Sequence, residues 1–129
     1  MPALNFIAGA YSNMLKKLYR LNKTKDIQAL MKTGRAFYSP VLMVRAKANT
    51  LPNSRFAIIV SNRVSKKATQ RNLIKRRLRE IVRHFLPQLE TGADVAILAS
   101  PKIISQGKVL GYQEMFRELE QVFKKARLL

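Results

Sequence analysis

Residues 63–83 hold nine of the chain's 25 basic residues and a single acid, Glu80. The nine are Arg63, Lys66, Lys67, Arg71, Lys75, Arg76, Arg77, Arg79 and Arg83. Wound as a helix at about 100° per residue, residues 68–86 separate into two faces. Ile74, Leu78, Ile81, Val82 and Phe85 fall in one arc, and Asn72, Lys75, Arg76, Arg79 and Arg83 fall opposite. Arginines three or four residues apart climb about 5 Å per step, close to the spacing of successive phosphates along a nucleic-acid strand. The guanidinium fork also matches phosphate oxygens bidentately. Arg63, Lys66 and Lys67 precede the helix, where free backbone N–H groups add to an anion-binding surface. Asn72 offers two chemistries: a hydrogen bond to a base edge or a ribose 2′-OH, or a local bond within the first turns of the helix.

The rest of the composition narrows the classes. The chain has 129 residues, 7 Asp+Glu and a formal net charge of +18. A domain this basic calls for a polyanionic partner. Cysteine is absent and His84 is the only histidine, so there is no disulfide framework, thiolate zinc site or histidine-paired centre. The scattered acids, among them Asp26, Glu80, Asp94 and Glu114, give no carboxylate cluster of the kind a metal-dependent nuclease needs. A membrane surface is the rival polyanion. No apolar run approaches the roughly 18 residues that span a bilayer. Lys16, Lys17 and Arg20 follow the mildly apolar residues 2–11, the reverse of a secretory signal. The expectation is a cytoplasmic protein with no membrane partner.

The elements that must carry the basic surface follow from periodicity. Residues 1–13 are uncharged and aperiodic, and are expected to form a flexible arm ahead of one domain over 14–129. Thr24–Thr33 reads as a helix with Thr24 as N-cap, Asp26 in the first turn, and Ile27, Leu30 and Met31 inward. Gly34 is expected to close it in the left-handed conformation. Val41–Ala48 and Arg55–Ser61 alternate as strands around the turn-rich Asn49–Ser54, which predicts an antiparallel hairpin. A further short strand fits Ala36–Tyr38. The helix over Ala68–Leu86 stops at Pro87. Ala93–Ala99 is a nearly continuous apolar run, typical of a strand covered on both faces. A loop with Pro101 and Gly107 leads to a last helix, Gln113–Ala126. The class is α+β, a single mixed sheet of about four strands with helices packed on it.

The segment Ser61-Asn-Arg-Val-Ser-Lys-Lys-Ala-Thr-Gln-Arg-Asn-Leu-Ile-Lys-Arg-Arg-Leu-Arg-Glu80 resembles the signature of the bacterial ribonuclease P protein family. The family pairs basics at a strand end with an Arg-Asn-Arg box about ten residues on, running into Ile-Lys-Arg and Arg-Glu. Leu21–Gly34, Arg55–Val60 and Asp94–Ala99 are similar to the family's first helix and flanking strands, so the likeness spans about residues 14–127. Two positions depart from the pattern: Leu73 stands third in the box, and Asn62 stands where the first basic is usual.

The resemblance implies a fold like the second domain of ribosomal protein S5, with a left-handed β-α-β crossover. It implies an RNA-binding subunit of an endonuclease whose RNA is the catalyst, using RNA-bound Mg2+ to remove the 5′ leader of precursor tRNA. Arg63, Lys66, Lys67, Arg71, Asn72, Lys75, Arg76, Arg79 and Arg83 would bind the catalytic RNA. The leader would lie on a cleft of sheet face and first helix, with Arg45, Arg55, Ile59 and Ser61 as its residues. Phe37 and Tyr38 would stack on its unpaired bases or else pack in the core. The partners would be the ribonuclease P RNA and precursor tRNA, with one protein per RNA. The competing class is a general RNA-binding or ribosomal-type protein on a similar fold.

Overall fold

The computed structural model describes residues 17–129, and the arm expected over 1–13 lies outside the described residues. Helix α1 (Thr24–Thr33) leads into β1 (Arg35–Tyr38), β2 (Leu42–Ala48) and β3 (Arg55–Ile59). Helix α2 (Ala68–Phe85) runs into a 3-10 turn at Leu86–Gln88, where Pro87 ends the α-helical ladder. Then come β4 (Ala93–Ala99), the two-residue strands β5 (Ile104–Ser105) and β6 (Lys108–Val109), and helix α3 (Tyr112–Lys125).

The four long strands form one mixed sheet in the order β1-β2-β4-β3. The expected hairpin of 41–48 with 55–61 is therefore not made. β2 pairs antiparallel with β4, and β3 pairs parallel with β4. The Asn49–Ser54 turn reverses the chain as its residues predict, but turn chemistry fixes direction and not adjacency. The apolar run of β4 decides the matter. Val95, Ala96 and Ile97 are fully buried, so this strand sits where both faces and both edges are covered. β3, α2 and β4 thus form a β-α-β unit between parallel neighbours.

The faces follow the alternation read from the sequence. Leu42, Val44, Phe56, Val60, Val95 and Ile97 join Ile74, Leu78, Ile81, Val82 and Phe85 of α2 and Met115, Leu119, Val122 and Phe123 of α3 in the main core. On the opposite face Leu21 and Leu30 cover Ala57 and Ala96, with Ile27, Met31, Ile59 and Leu98 packed around them. α1 therefore lies alone on one side of the sheet, and α2 and α3 share the other. The apolar arc of α2 is the one its periodicity predicts, so the basic arc is turned outward.

The two ends of α1 differ from expectation. The N-cap is Lys23, whose backbone is extended, and Thr24 is the first helical residue. Gly34 is also extended, at φ −71° and ψ 152°, and not left-handed. It is glycine for lack of room. A Cβ there would lie 2.6 Å from the Leu30 carbonyl oxygen and 2.9 Å from its Cδ1. Gly34→Ala is expected to destabilise the fold by about 1–3 kcal/mol, because backbone and the buried Leu30 must both move. A urea midpoint lowered at constant m-value is the measurement that checks it.

Candidate nucleic-acid interface

The loop before α2 is fastened to the helix it precedes. The Ser65 hydroxyl donates to Gln70 Oε1 at 2.6 Å and accepts from the Lys67 N–H at 3.1 Å. Arg71 Nη1 donates to the Ser65 carbonyl at 2.9 Å. These bonds leave the side chains of Arg63, Lys66 and Lys67 exposed at the N-terminal end of α2. Along the helix Asn72 and Arg76 are exposed, and Arg71, Lys75, Arg79 and Arg83 are half-buried. Arg76 approaches Glu80 at 3.9 Å, an exposed i,i+4 contact that neutralises little. The predicted set is therefore brought together as one cationic surface.

Its members are not equivalent. Arg71 spends one nitrogen holding the loop. At the far end, the charges of Arg83 and Glu80 reach Tyr112. Burial, then Glu80, push the Tyr112 hydroxyl upward, against the pull of Arg83. Arg77 leaves the surface: its Nη1 donates to the Leu110 carbonyl at 2.7 Å, tying α2 to the segment before α3.

Arg79 turns the other way around the helix, toward the outer edge of β3. A cleft of about 210 Å³ lies there, lined by Arg20, Leu21, Ile27, Ala57, Ile59 and Arg79 among others. The chain before α1 forms its outer wall, because the Leu21 N–H donates to the Phe56 carbonyl at 2.8 Å and Arg20 bridges to Phe56. Sheet face, helix and cation thus meet in one groove, and Arg79 belongs to the groove and to the outward surface. Arg20 was not among the sequence candidates. The signal available was a cation just ahead of the first helix, which has no meaning until that segment is seen on the β3 edge.

The six leader candidates separate. Ile59 lines the cleft. Ser61 is exposed just past the end of β3. Tyr38, 59% exposed, is paired with Met43 at the β1 edge of the same face, three strands from β3. Phe37 takes the core alternative and does not face the cleft. It pairs with Val44 and packs on the main core, so its ring is on the face away from α1. Adjacent strand residues point to opposite faces, so Phe37 and Tyr38 never shared a surface. Arg45 lies on the α1 face, with Nη1 donating to the Gly34 carbonyl at 3.1 Å at the end of that helix.

Arg55 is committed to a structural ion pair. Its Nε and Nη2 donate to the two oxygens of Asp94 at 2.9 and 2.7 Å, and Nη1 lies 3.6 Å from Asp26 of α1. Burial pushes the Asp94 carboxyl up, but hydrogen bonds from Arg55 and Asn49 and the charges of Arg55 and Lys47 outweigh it. The net shift is downward. A depressed carboxyl contributes stability that is present above the ordinary aspartate range, about pH 4, and is lost as pH falls through the lowered value. Acid titration of the melting temperature is expected to show this loss below about pH 4, and Asp94→Asn is expected to flatten it.

With this geometry in view, the family model described as Ribonuclease P matches residues 15–127. The chain belongs to the ribonuclease P protein family. The ribonuclease P protein component of a Synechocystis strain is 39% identical over 116 residues, covering 89% of this chain and 90% of the relative. That of Microcystis aeruginosa is 33% identical, covering 89% and 96%. Among solved structures, the RNase P protein of Thermotoga maritima superposes with a TM-score of 0.76 at 26% identity, covering 82% of this chain and 98% of that one. The Staphylococcus aureus RNase P protein gives 0.75 at 26% identity, covering 85% and 96%. The α+β fold is that of the ribonuclease P proteins. Against the family's pattern, Leu73 is half-buried one turn from Arg77, on the flank away from the cleft. Arg77, one turn on, spends its Nη1 on the Leu110 carbonyl.

Proposed function

We propose that this chain is the RNA-binding subunit of ribonuclease P, and that it grips the RNA subunit with Arg63–Lys67 and the outer face of α2. The cleft at the β3 edge receives the single-stranded 5′ leader of precursor tRNA. The observation that carries this reading is Arg79, which joins the outward cationic stripe to the cleft. One strand of RNA held on the helix and another in the groove are then bound side by side.

The chain's part in the reaction is positional and electrostatic. Arg20 and Arg79 would neutralise leader phosphates at the mouth of the groove, and the apolar floor of Ala57 and Ile59 would pack against bases. Mg2+ is assigned to the RNA. Among the described residues, no group of three or more His, Cys, Asp or Glu side chains is placed to hold a metal ion. A complex of one protein and one RNA in the cytoplasm accords with this role. Among the described residues, no helix is long and apolar enough to cross a membrane.

The test is reconstitution. The chain, a bacterial ribonuclease P RNA and a precursor tRNA are mixed at low magnesium, with protein alone and RNA alone as controls. Cleavage at the mature 5′ end in the mixture only is the expected result. RNA binding with no cleavage in the presence of a cognate RNA would favour a general RNA-binding or ribosomal-type role.

A further inference from the structure

The segment between β4 and α3 is a built element where a loop was expected. β5 and β6 pair antiparallel, Ile104 with Val109 and Ser105 with Lys108. Gln106 and Gly107, at φ 52° and 75°, make the two-residue turn that suits a tight hairpin. Two-residue strands have no stability of their own. This hairpin is held from below: Ile103 is fully buried, and Ile104, Val109 and Leu110 pack on the main core. It is also held from the side. Gln70 Nε2 donates to the Gly107 carbonyl at 2.9 Å, and Arg77 Nη1 donates to the Leu110 carbonyl. Gln70 is the same side chain that accepts from Ser65 of the basic loop.

What the hairpin leaves outward is polar and cationic. Ser105, Gln106 and Lys108 of the hairpin are exposed, as is Lys102 in the 3-10 turn Pro101–Ile103 that leads into it, and residues 100–113 contain no acid. Arg77 and Arg79 lie about 200° apart around α2. The hairpin therefore flanks α2 on the side opposite the cleft, beside the end where Lys66 and Lys67 stand.

We propose that this hairpin and the 3-10 turn leading into it are a second RNA-contacting element, in which Lys102 of the turn and Lys108 of the hairpin meet phosphates of the RNA subunit alongside the footprint of α2. The proposal rests on the function proposed above. It commits to the RNA subunit, and not the precursor tRNA, because the cleft opens on the other flank of the helix. Gln70 sets the hairpin and the basic loop in one register, so both present their cations to the same structured RNA.

The experiment compares three full-length double variants for affinity to the RNA subunit across a salt series. Lys102→Ala/Lys108→Ala removes the cations of the hairpin and of the turn leading into it. Lys124→Ala/Lys125→Ala removes the same charge from the exposed last turn of α3, about 20 Å along that helix from its start. Arg76→Ala/Arg79→Ala tests the helix surface. The hairpin variant is expected to bind about 5–50-fold more weakly at fixed salt and to lower the salt slope by about 1–2 units. It should keep the wild-type melting temperature and its affinity for precursor tRNA. The α3 variant is expected to keep the wild-type slope. A hairpin variant whose slope matches the α3 control overturns the proposal, as does a loss confined to precursor tRNA. If the Arg76/Arg79 variant still loses affinity in that case, the proposed function stands without the hairpin. If the wild type prefers the RNA subunit no more than ribosomal RNA, the proposed function itself fails.

Discussion

Replacing Arg76 and Arg79 together with alanine is expected to weaken binding to the ribonuclease P RNA by about 10–100-fold near physiological salt, about 1.4–2.8 kcal/mol. The salt slope should fall by about 1–2 units, one counterion-release step per lost phosphate contact. Both side chains leave α2 on the side away from its buried arc, and the Arg76–Glu80 contact at 3.9 Å adds little to stability. The melting temperature should move by no more than a degree or two. The two single variants differ in a second respect. Arg79 also lines the cleft and Arg76 does not, so only Arg79→Ala should lower affinity for a precursor tRNA with a leader. A salt titration of binding to the two RNAs reads both effects. An unchanged slope in the double variant would mean that the outer face of α2 does not meet RNA.

One residue earlier on the same helix, the opposite outcome is expected. Leu78 is 0% exposed, in the core shared by the sheet, α2 and α3. Leu78→Ala removes its packing and leaves a cavity that rigid neighbours fill only in part, at a cost of about 2–5 kcal/mol. Against a total stability of about 5–15 kcal/mol, this is a large fraction. At about 4 °C per kcal/mol, the melting temperature should fall by roughly 8–20 °C. Measured where the variant is still folded, its salt slope for RNA should equal that of the wild type. Adjacent residues would then separate folding from binding, which is the energetic meaning of an amphipathic helix whose two faces have different partners.

The sequence carried most of this surface because helical periodicity is local. The five apolar residues of α2 and the five polar residues opposite them follow from 3.6 residues per turn alone. Strand faces were equally legible, from Leu42 and Val44 to Phe56 and Val60. Strand order was not, because pairing is decided by residues distant in the chain. β4 enters between two strands joined by a six-residue turn, and only its need for cover on all sides hinted at that. Arg55 looked like a free cation for the leader because Asp94, its partner, lies 39 residues away. Phe37 looked like a partner of Tyr38 because they are consecutive, although consecutive strand residues face apart. Gly34 suggested a left-handed cap because that is the common use of glycine at a helix end. The contact that penalises any larger residue there, the Leu30 carbonyl, exists only once the chain turns into β1.

The place of β4 at the centre of the sheet also governs how the chain comes together during synthesis. β2 and β3 have no ladder between them, and each pairs with β4, which is made last of the four. A nascent chain that ends before residue 93 can wind α2 and pair β1 with β2, but β3 has no main-sheet strand to join. The apolar arc of α2 would stay without its complete floor until β4 emerges. Such late, non-local closure slows folding and prolongs the exposure of apolar surface and strand edges. In this protein the cationic helix leaves the ribosome after three strands of its sheet but before β4, the strand that joins them. Completion of β4 is then the event that fixes α2, and with it the cationic face, on a closed sheet.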